Sequence, residues 1–155
     1  MPKLKIGNKA PTFTGTCTGE QEVNLRDLKG KNIIIYFYPK DNTPGCTTEG
    51  QNFRDLFKEF KKLNTVIYGV SRESIKSHEK FKKSQNFPFE LISDPDEKIC
   101  NLFDVIKEKS MYGRKYMGID RSTFLIDANG KLRREWRKVK IPGHVEEVLQ
   151  VTKEL

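Results

Sequence analysis

The side chains best suited to nucleophilic or metal chemistry are three cysteines, Cys17, Cys46 and Cys100, and two histidines, His78 and His144. Cys46 has the most suggestive setting. It follows a buried-type strand, NIIIYFY at 32–38, that ends at Pro39. A helix start is signalled just before it by Thr43-Pro44, a plausible N-cap followed by proline at the first helical position. Cys46 then falls in the first turn. A helix N-terminus carries partial positive charge and unpaired N–H groups. Both favour the thiolate, which is the nucleophilic form of cysteine. The Thr43 hydroxyl, three residues earlier, can donate a hydrogen bond to the sulfur or cap the helix, and a hydroxyl can do both. Pro39 and Pro44 stiffen the loop, and Gly45 leaves room for a small substrate. The surrounding TPGCTTE is polar, and the inward helical stripe starts only at Phe53. That pattern speaks against a packed, inert thiol.

The other candidates read as structural. Cys100 sits at the edge of an apolar helical stripe and reads as a packed core thiol. Cys17 falls in an N-terminal turn and is expected to be exposed. An odd, widely spaced set of three cysteines implies no disulfide framework, although sequence distance does not exclude either as a partner of Cys46. His78 and His144 stand apart and read as surface residues. With no CxxC or HxxxH spacing, no metal site and no cofactor are expected.

These residues need a scaffold. Residues 11–30 read as a hairpin with Phe13, Val23 and Leu25 inward and Gly15 and Gly19 bracketing the turn. The uniformly apolar 32–38 run predicts a strand buried on both faces. Phe53, Leu56, Phe57, Phe60 and Leu63 form a helical stripe after Pro44. TVIYGV at 65–70 is a second buried strand. Residues 74–84 read as a basic surface helix, 87–92 as a short strand, and a helix after Asp94-Pro95 carries Ile99, Leu102, Phe103 and Ile106. STFLI at 122–126 pairs with KLRREW through the turn Asp127–Gly130. A last helix from about Pro142 turns Val145, Val148, Leu149 and Thr152 inward. Strands alternating with helices predict an α/β layer fold with a mixed central sheet, thioredoxin-like, in one domain spanning 1–155.

Bulk properties narrow the functional classes. The net charge is +8, but the lysines are spread over 58–62, 76–83, 107–115 and 131–140. No zinc-finger spacing or RNA-binding aromatic motif accompanies them, so a solvated surface is expected rather than nucleic-acid binding. No apolar run resembles a signal peptide or membrane span, which points to the cytoplasm, a reducing compartment.

The stretch FYPKDNTPGCTTEGQNFRD resembles the active-site segment of the peroxiredoxins, whose PxxxTxxC pattern is met by Pro39, Thr43 and Cys46. The fuller YFYPKDNTPGCTTE is similar to the bacterioferritin comigratory protein, or PrxQ, branch. GIDRSTFLIDANGK matches a second family region and puts Arg121 where the family has an arginine. The likeness runs from KIGNKAPTF to GHVEEVLQ. It implies reduction of hydrogen peroxide and organic hydroperoxides, with Cys46 attacking the peroxide and becoming a sulfenic acid. Arg121 would hold the thiolate and stabilise charge as the O–O bond breaks. Thr43 would orient the reactants, Pro39 would shield the site, and Glu49 has a possible supporting place. The sequence departs from its relatives in resolution. Many carry a resolving cysteine five residues after the first, where this chain has Gln51, and others on the next helix, where 74–84 has none. An external thiol is therefore expected as reductant: thioredoxin, glutaredoxin or glutathione. Many PrxQ-type proteins are monomeric, and the same is expected here.

Two alternatives stand beside this reading. A thiol–disulfide oxidoreductase on the same fold lacks support because Cys46 is followed by Thr47, Thr48 and Glu49 rather than a CxxC. A non-enzymatic basic binding protein would bind nucleic acid through charge alone and would not need Cys46.

Overall fold

The β-branched and aromatic run after Asn32 forms an interior strand buried on both faces, as its pattern predicts. In the computed structural model, which describes residues 4–155, this run is β3 of a seven-stranded mixed sheet. The strands are β1 (Thr14–Cys17), β2 (Gln21–Asn24), β3 (Asn32–Phe37), β4 (Thr65–Ser71), β5 (Glu90–Ser93), β8 (Ser122–Ile126) and β9 (Leu132–Trp136). Their order is β2-β1-β5-β4-β3-β8-β9. β3, β4 and β5 run parallel, and β8 lies antiparallel against β3 with Phe37 opposite Ser122. Between the strands come α1 (Pro44–Asp55), α2 (Phe57–Lys62), α3 (Ile75–Gln85) and α4 (Lys98–Leu102), and α5 (His144–Lys153) closes the chain.

Alternation along β3 divides the core in two. Ile33, Ile35 and Phe37 pack on one side with Cys17, Val70, Ile92, Cys100, Phe103 and Phe124. Ile34, Tyr36 and Tyr38 pack on the other with Cys46, Phe53, Phe60, Phe81 and Val145. The sheet is therefore a partition, and the three cysteines are not on the same side of it.

Several expectations need correction. The helix expected through Leu63 is two helices. The Glu59 N–H bonds the Leu56 carbonyl at 3.0 Å, an i to i+3 bond that tightens the chain between α1 and α2. Ile106 is not helical. Asp104 adopts a left-handed φ of 53°, and Ile106 opens a strand instead. That strand, β6 (Ile106–Met111), pairs with β7 (Arg114–Ile119) in a separate hairpin. Its turn, Tyr112-Gly113, has positive φ at both residues, as the two-residue hairpin turn requires. The charged side chains along 107–115 obscure this hairpin in the sequence. Cys17 is not exposed in a turn: it is the last residue of β1, paired with Ile92, and 2% exposed. His78 and His144 are likewise buried rather than on the surface, each with ring hydrogen bonds that satisfy it in the core.

Candidate active site

Cys46 occupies the first turn of α1, as the Thr43-Pro44 signal predicts. Thr43 has extended N-cap geometry, and its carbonyl accepts the Thr47 N–H at 2.9 Å. Its hydroxyl does neither of the two things expected of it. It donates to the Lys40 carbonyl at 2.9 Å and makes no side-chain cap. The nearby carbonyl in the tight 40–43 turn engages the hydroxyl proton, so Thr43 braces the loop rather than the sulfur. Pro39 is half-buried at the start of that loop.

Cys46 and Glu49 are three residues apart on α1 and so share a helix face. Both are buried. Arg121 reaches them from the far side. It immediately precedes β8, and the pairing of Ser122 with Phe37 sets it beside the end of β3. Its Nη1 donates to Glu49 Oε1 at 2.7 Å, and its Nη2 donates to Cys46 Sγ at 3.2 Å. One planar guanidinium thus holds both groups, a geometry an ammonium does not offer. Burial pushes the Glu49 carboxyl up to about 7, against the opposing pull of Arg121. Glu49 is fully buried, and its Oε2 has no hydrogen-bond partner. The Tyr36 hydroxyl, also without a partner, is pushed up by burial and then by the charges of Glu49 and Cys46.

Gly45 matters for space. A Cβ there would lie 3.2 Å from Ile141 Cδ1 and 3.4 Å from Arg121 Nη2. The absent side chain keeps the guanidinium free to approach the sulfur. The 137–143 segment packs over this point, with the Val139 N–H bonded to the Arg121 carbonyl at 3.0 Å. Ile141 and Val139 were not legible as site residues, since nothing in KVKIPG signals a return to α1.

The other two cysteines lie across the sheet. Burial raises Cys17 to about 11, and burial with Asp94 raises Cys100 further. Neither is a ready thiolate. Sequence reading also missed a buried polar group behind the loop, where Asp41 meets His78 at 2.7 Å. The helical spacing of His78 and Phe81, both inward on α3, was the signal that His78 is not a surface residue. Among the described residues no three His, Cys, Asp or Glu side chains gather as a metal site. No helix among them is long and apolar enough to cross a membrane.

The arrangement is a cysteine at a helix N-terminus, a guanidinium donating to its sulfur, and a glycine beside them that leaves the guanidinium room. Residues 6–135 match the AhpC/TSA family. The chain is 51% identical to peroxiredoxin Bcp of Bacillus subtilis strain 168 over 152 residues, covering 98% of this chain and 97% of that protein. It is 52% identical over 136 residues to peroxiredoxin Bcp of Xanthomonas campestris, covering 88% and 85%. Among solved structures it superposes on Xanthomonas campestris peroxiredoxin Q with a TM-score of 0.91 at 48% identity, covering 96% and 97% of the two chains. A cysteine-to-serine mutant of Xylella fastidiosa PrxQ gives 0.93 at 43% identity, covering 99% and 98%.

Proposed function

The chain belongs to the AhpC/TSA family and is a thiol-dependent peroxidase of the Bcp/PrxQ kind, and we propose that Cys46 is its nucleophile. The observation that carries this is the Arg121 guanidinium, which donates to Cys46 Sγ at 3.2 Å while anchored on buried Glu49. The Cys46 thiolate attacks one peroxide oxygen. An S–O bond forms as the O–O bond breaks, sulfur is oxidised to the sulfenic acid, and the departing oxygen takes a proton and leaves as water or alcohol. Arg121 holds the anionic sulfur before attack and stabilises charge during it. Glu49 fixes the guanidinium plane. Pro39 limits water at the sulfur, and Thr43 holds the loop shape that presents Cys46. The substrates are hydrogen peroxide and organic hydroperoxides.

An external thiol completes the cycle. Its sulfur displaces water from the sulfenic acid to give a mixed disulfide, and a second thiol releases Cys46 as the thiol. Thioredoxin, glutaredoxin or glutathione would supply these electrons. The partition of the core supports this half of the reading, because Cys17 and Cys100 pack on the face of β3 away from Cys46. Residues 1–155 act as one domain, of which 1–3 lie outside the described residues. The protein works as a monomer, as the PrxQ resemblance implies, and in the cytoplasm, a reading supported by an odd, widely spaced set of three cysteines that implies no disulfide framework.

Intact-mass spectrometry with a thiol trap, after one equivalent of peroxide, tests this on the wild type and on each Cys→Ser variant. Oxygen addition is expected at Cys46 alone. Unchanged peroxide consumption by Cys46→Ser would overturn the assignment.

A further inference from the structure

Between Tyr38 and Cys46 the chain has no regular structure until Pro44, and Asp41 is its only buried residue. The position of the loop that presents Cys46 therefore depends on what holds Asp41. Its carboxylate accepts three side-chain hydrogen bonds. Tyr38 Oη donates to Oδ1 at 2.6 Å, Ser77 Oγ donates to Oδ2 at 2.7 Å, and His78 Nδ1 meets Oδ2 at 2.7 Å. His78 Nε2 lies 3.0 Å from the Ile92 carbonyl. A carbonyl only accepts, so Nε2 carries a proton. The 2.7 Å contact between Nδ1 and the Asp41 carboxylate places one further proton between the two groups. Burial pushes the Asp41 carboxyl up, but His78, Tyr38 and Ser77 together hold it below the usual carboxylate range. The pair is fully enclosed, with side chains 0% and 1% exposed. A buried carboxylate that loses one of its donors is left unsatisfied, so the cluster resists being half-undone.

Two of the three donors, Ser77 and His78, belong to the first turn of α3, Tyr38 directly follows β3, and Ile92 belongs to β5. The cluster thus fastens the 39–43 loop to a helix and a strand that make no part of the Cys46–Arg121–Glu49 contact. The peroxide step needs that loop closed, since Cys46 must stay beside Arg121. The reductive step needs it open, because Cys46 is 2% exposed and an external thiol must reach its sulfur.

We propose that Asp41 and His78 are positioning residues that latch the 39–43 loop to α3, favouring attack on peroxide at the expense of access by the reducing thiol. The latch rests on the assignment of Cys46 as nucleophile. It acts by setting the local opening equilibrium of the loop, a part of the protein able to open without global unfolding.

Asp41→Asn and His78→Gln keep side-chain size while removing the carboxylate and the imidazole respectively. Three quantities are read on wild type and variants: the stopped-flow rate with hydrogen peroxide, the single-turnover reduction of the sulfenic form by dithiothreitol, and amide hydrogen exchange over 39–46. A released latch raises exchange there by about tenfold or more, slows the peroxide step by about tenfold and speeds reduction by at least about threefold. Should both variants fail to fold, Ser77→Ala removes one donor without a charge and moves all three readings the same way by smaller factors. A purely structural role would slow both half-reactions together or change neither, and either result overturns the latch. The wild-type arm separates the two ideas: oxygen added elsewhere than Cys46 removes the nucleophile assignment, whatever the variants do.

Discussion

Arg121 and Cys46 lie 75 residues apart in the chain, and the guanidinium donates to the sulfur at 3.2 Å. The contact exists because β8 pairs antiparallel with β3, so that the residue before Ser122 meets the loop after Phe37. A helix N-terminus alone favours a thiolate. On the proposed mechanism the added guanidinium, anchored by Glu49 at 2.7 Å, is a fixed donor at the place where charge would change during O–O cleavage.

Removing that donor should be costly. Arg121→Ala is expected to lower the rate with hydrogen peroxide by about 100-fold to 1000-fold, the range for losing one preorganised charge-stabilising donor. Arg121→Lys should recover little, because an ammonium cannot hold Cys46 and Glu49 from one plane. Stopped-flow peroxide kinetics on folded variants decides the matter, and a loss of less than about threefold would remove Arg121 from the reaction.

Two buried titrating groups should give opposing pH dependence of stability. Burial raises Glu49 from 4.5 to about 7, so its contribution is fully present below 4.5 and is lost as pH rises to about 7. Burial lowers His144 from 6.5 to about 4, so its contribution is present above 6.5 and is lost as pH falls to about 4. Each is on the order of 3 kcal/mol, and the two offset each other between 4.5 and 6.5. Asp41 and Asp127, both held low, lose their contributions only as pH falls below 3.8. Urea unfolding at fixed pH should show stability rising from pH 4 to 6.5 in Glu49→Gln. In His144→Asn it should fall from 4.5 to 7. Slopes identical to wild type in both variants would contradict the assignment.

No intramolecular disulfide should form during turnover. Cys17 and Cys100 are buried with raised thiol values, on the other side of β3 from Cys46. Cys17→Ser and Cys100→Ser should recycle with dithiothreitol at rates within about twofold of wild type. Mass spectrometry without reductant, showing a two-proton loss and a Cys46–Cys17 or Cys46–Cys100 linked peptide, would instead establish internal resolution.

Gly50 sets how closely α1 approaches Phe87. A Cβ there would run into Phe87 Cζ. That ring is stacked on Phe89 at 5.1 Å and set edge-on to Phe81 at 5.0 Å, so it has little freedom to yield. Gly50→Ala should therefore destabilise by about 1–3 kcal/mol through overpacking, despite its better helix propensity. Thermal unfolding measures this, and a stability gain would show that α1 can shift.

Much of the local framework around Cys46 was legible from local signals. The run at 32–38, the Thr43-Pro44 start and the position of Cys46 depend on neighbours within a turn or a strand, so residue type and spacing carry them. The stripe on α5 and the turn at Asp127–Gly130 are local for the same reason. What the sequence left open are the relations made by strand pairing across long separations. Only the tertiary structure showed that Arg121 grips Glu49 as well as Cys46, and that the Thr43 hydroxyl turns to Lys40. It also showed His78 buried against Asp41, because its placement depends on α3 packing over the loop. The sheet itself decided the arrangement of the cysteines: alternate residues of β3 face opposite layers, so Cys46 is separated from Cys17 and Cys100 by a wall of backbone that no spacing of cysteines in the chain reveals.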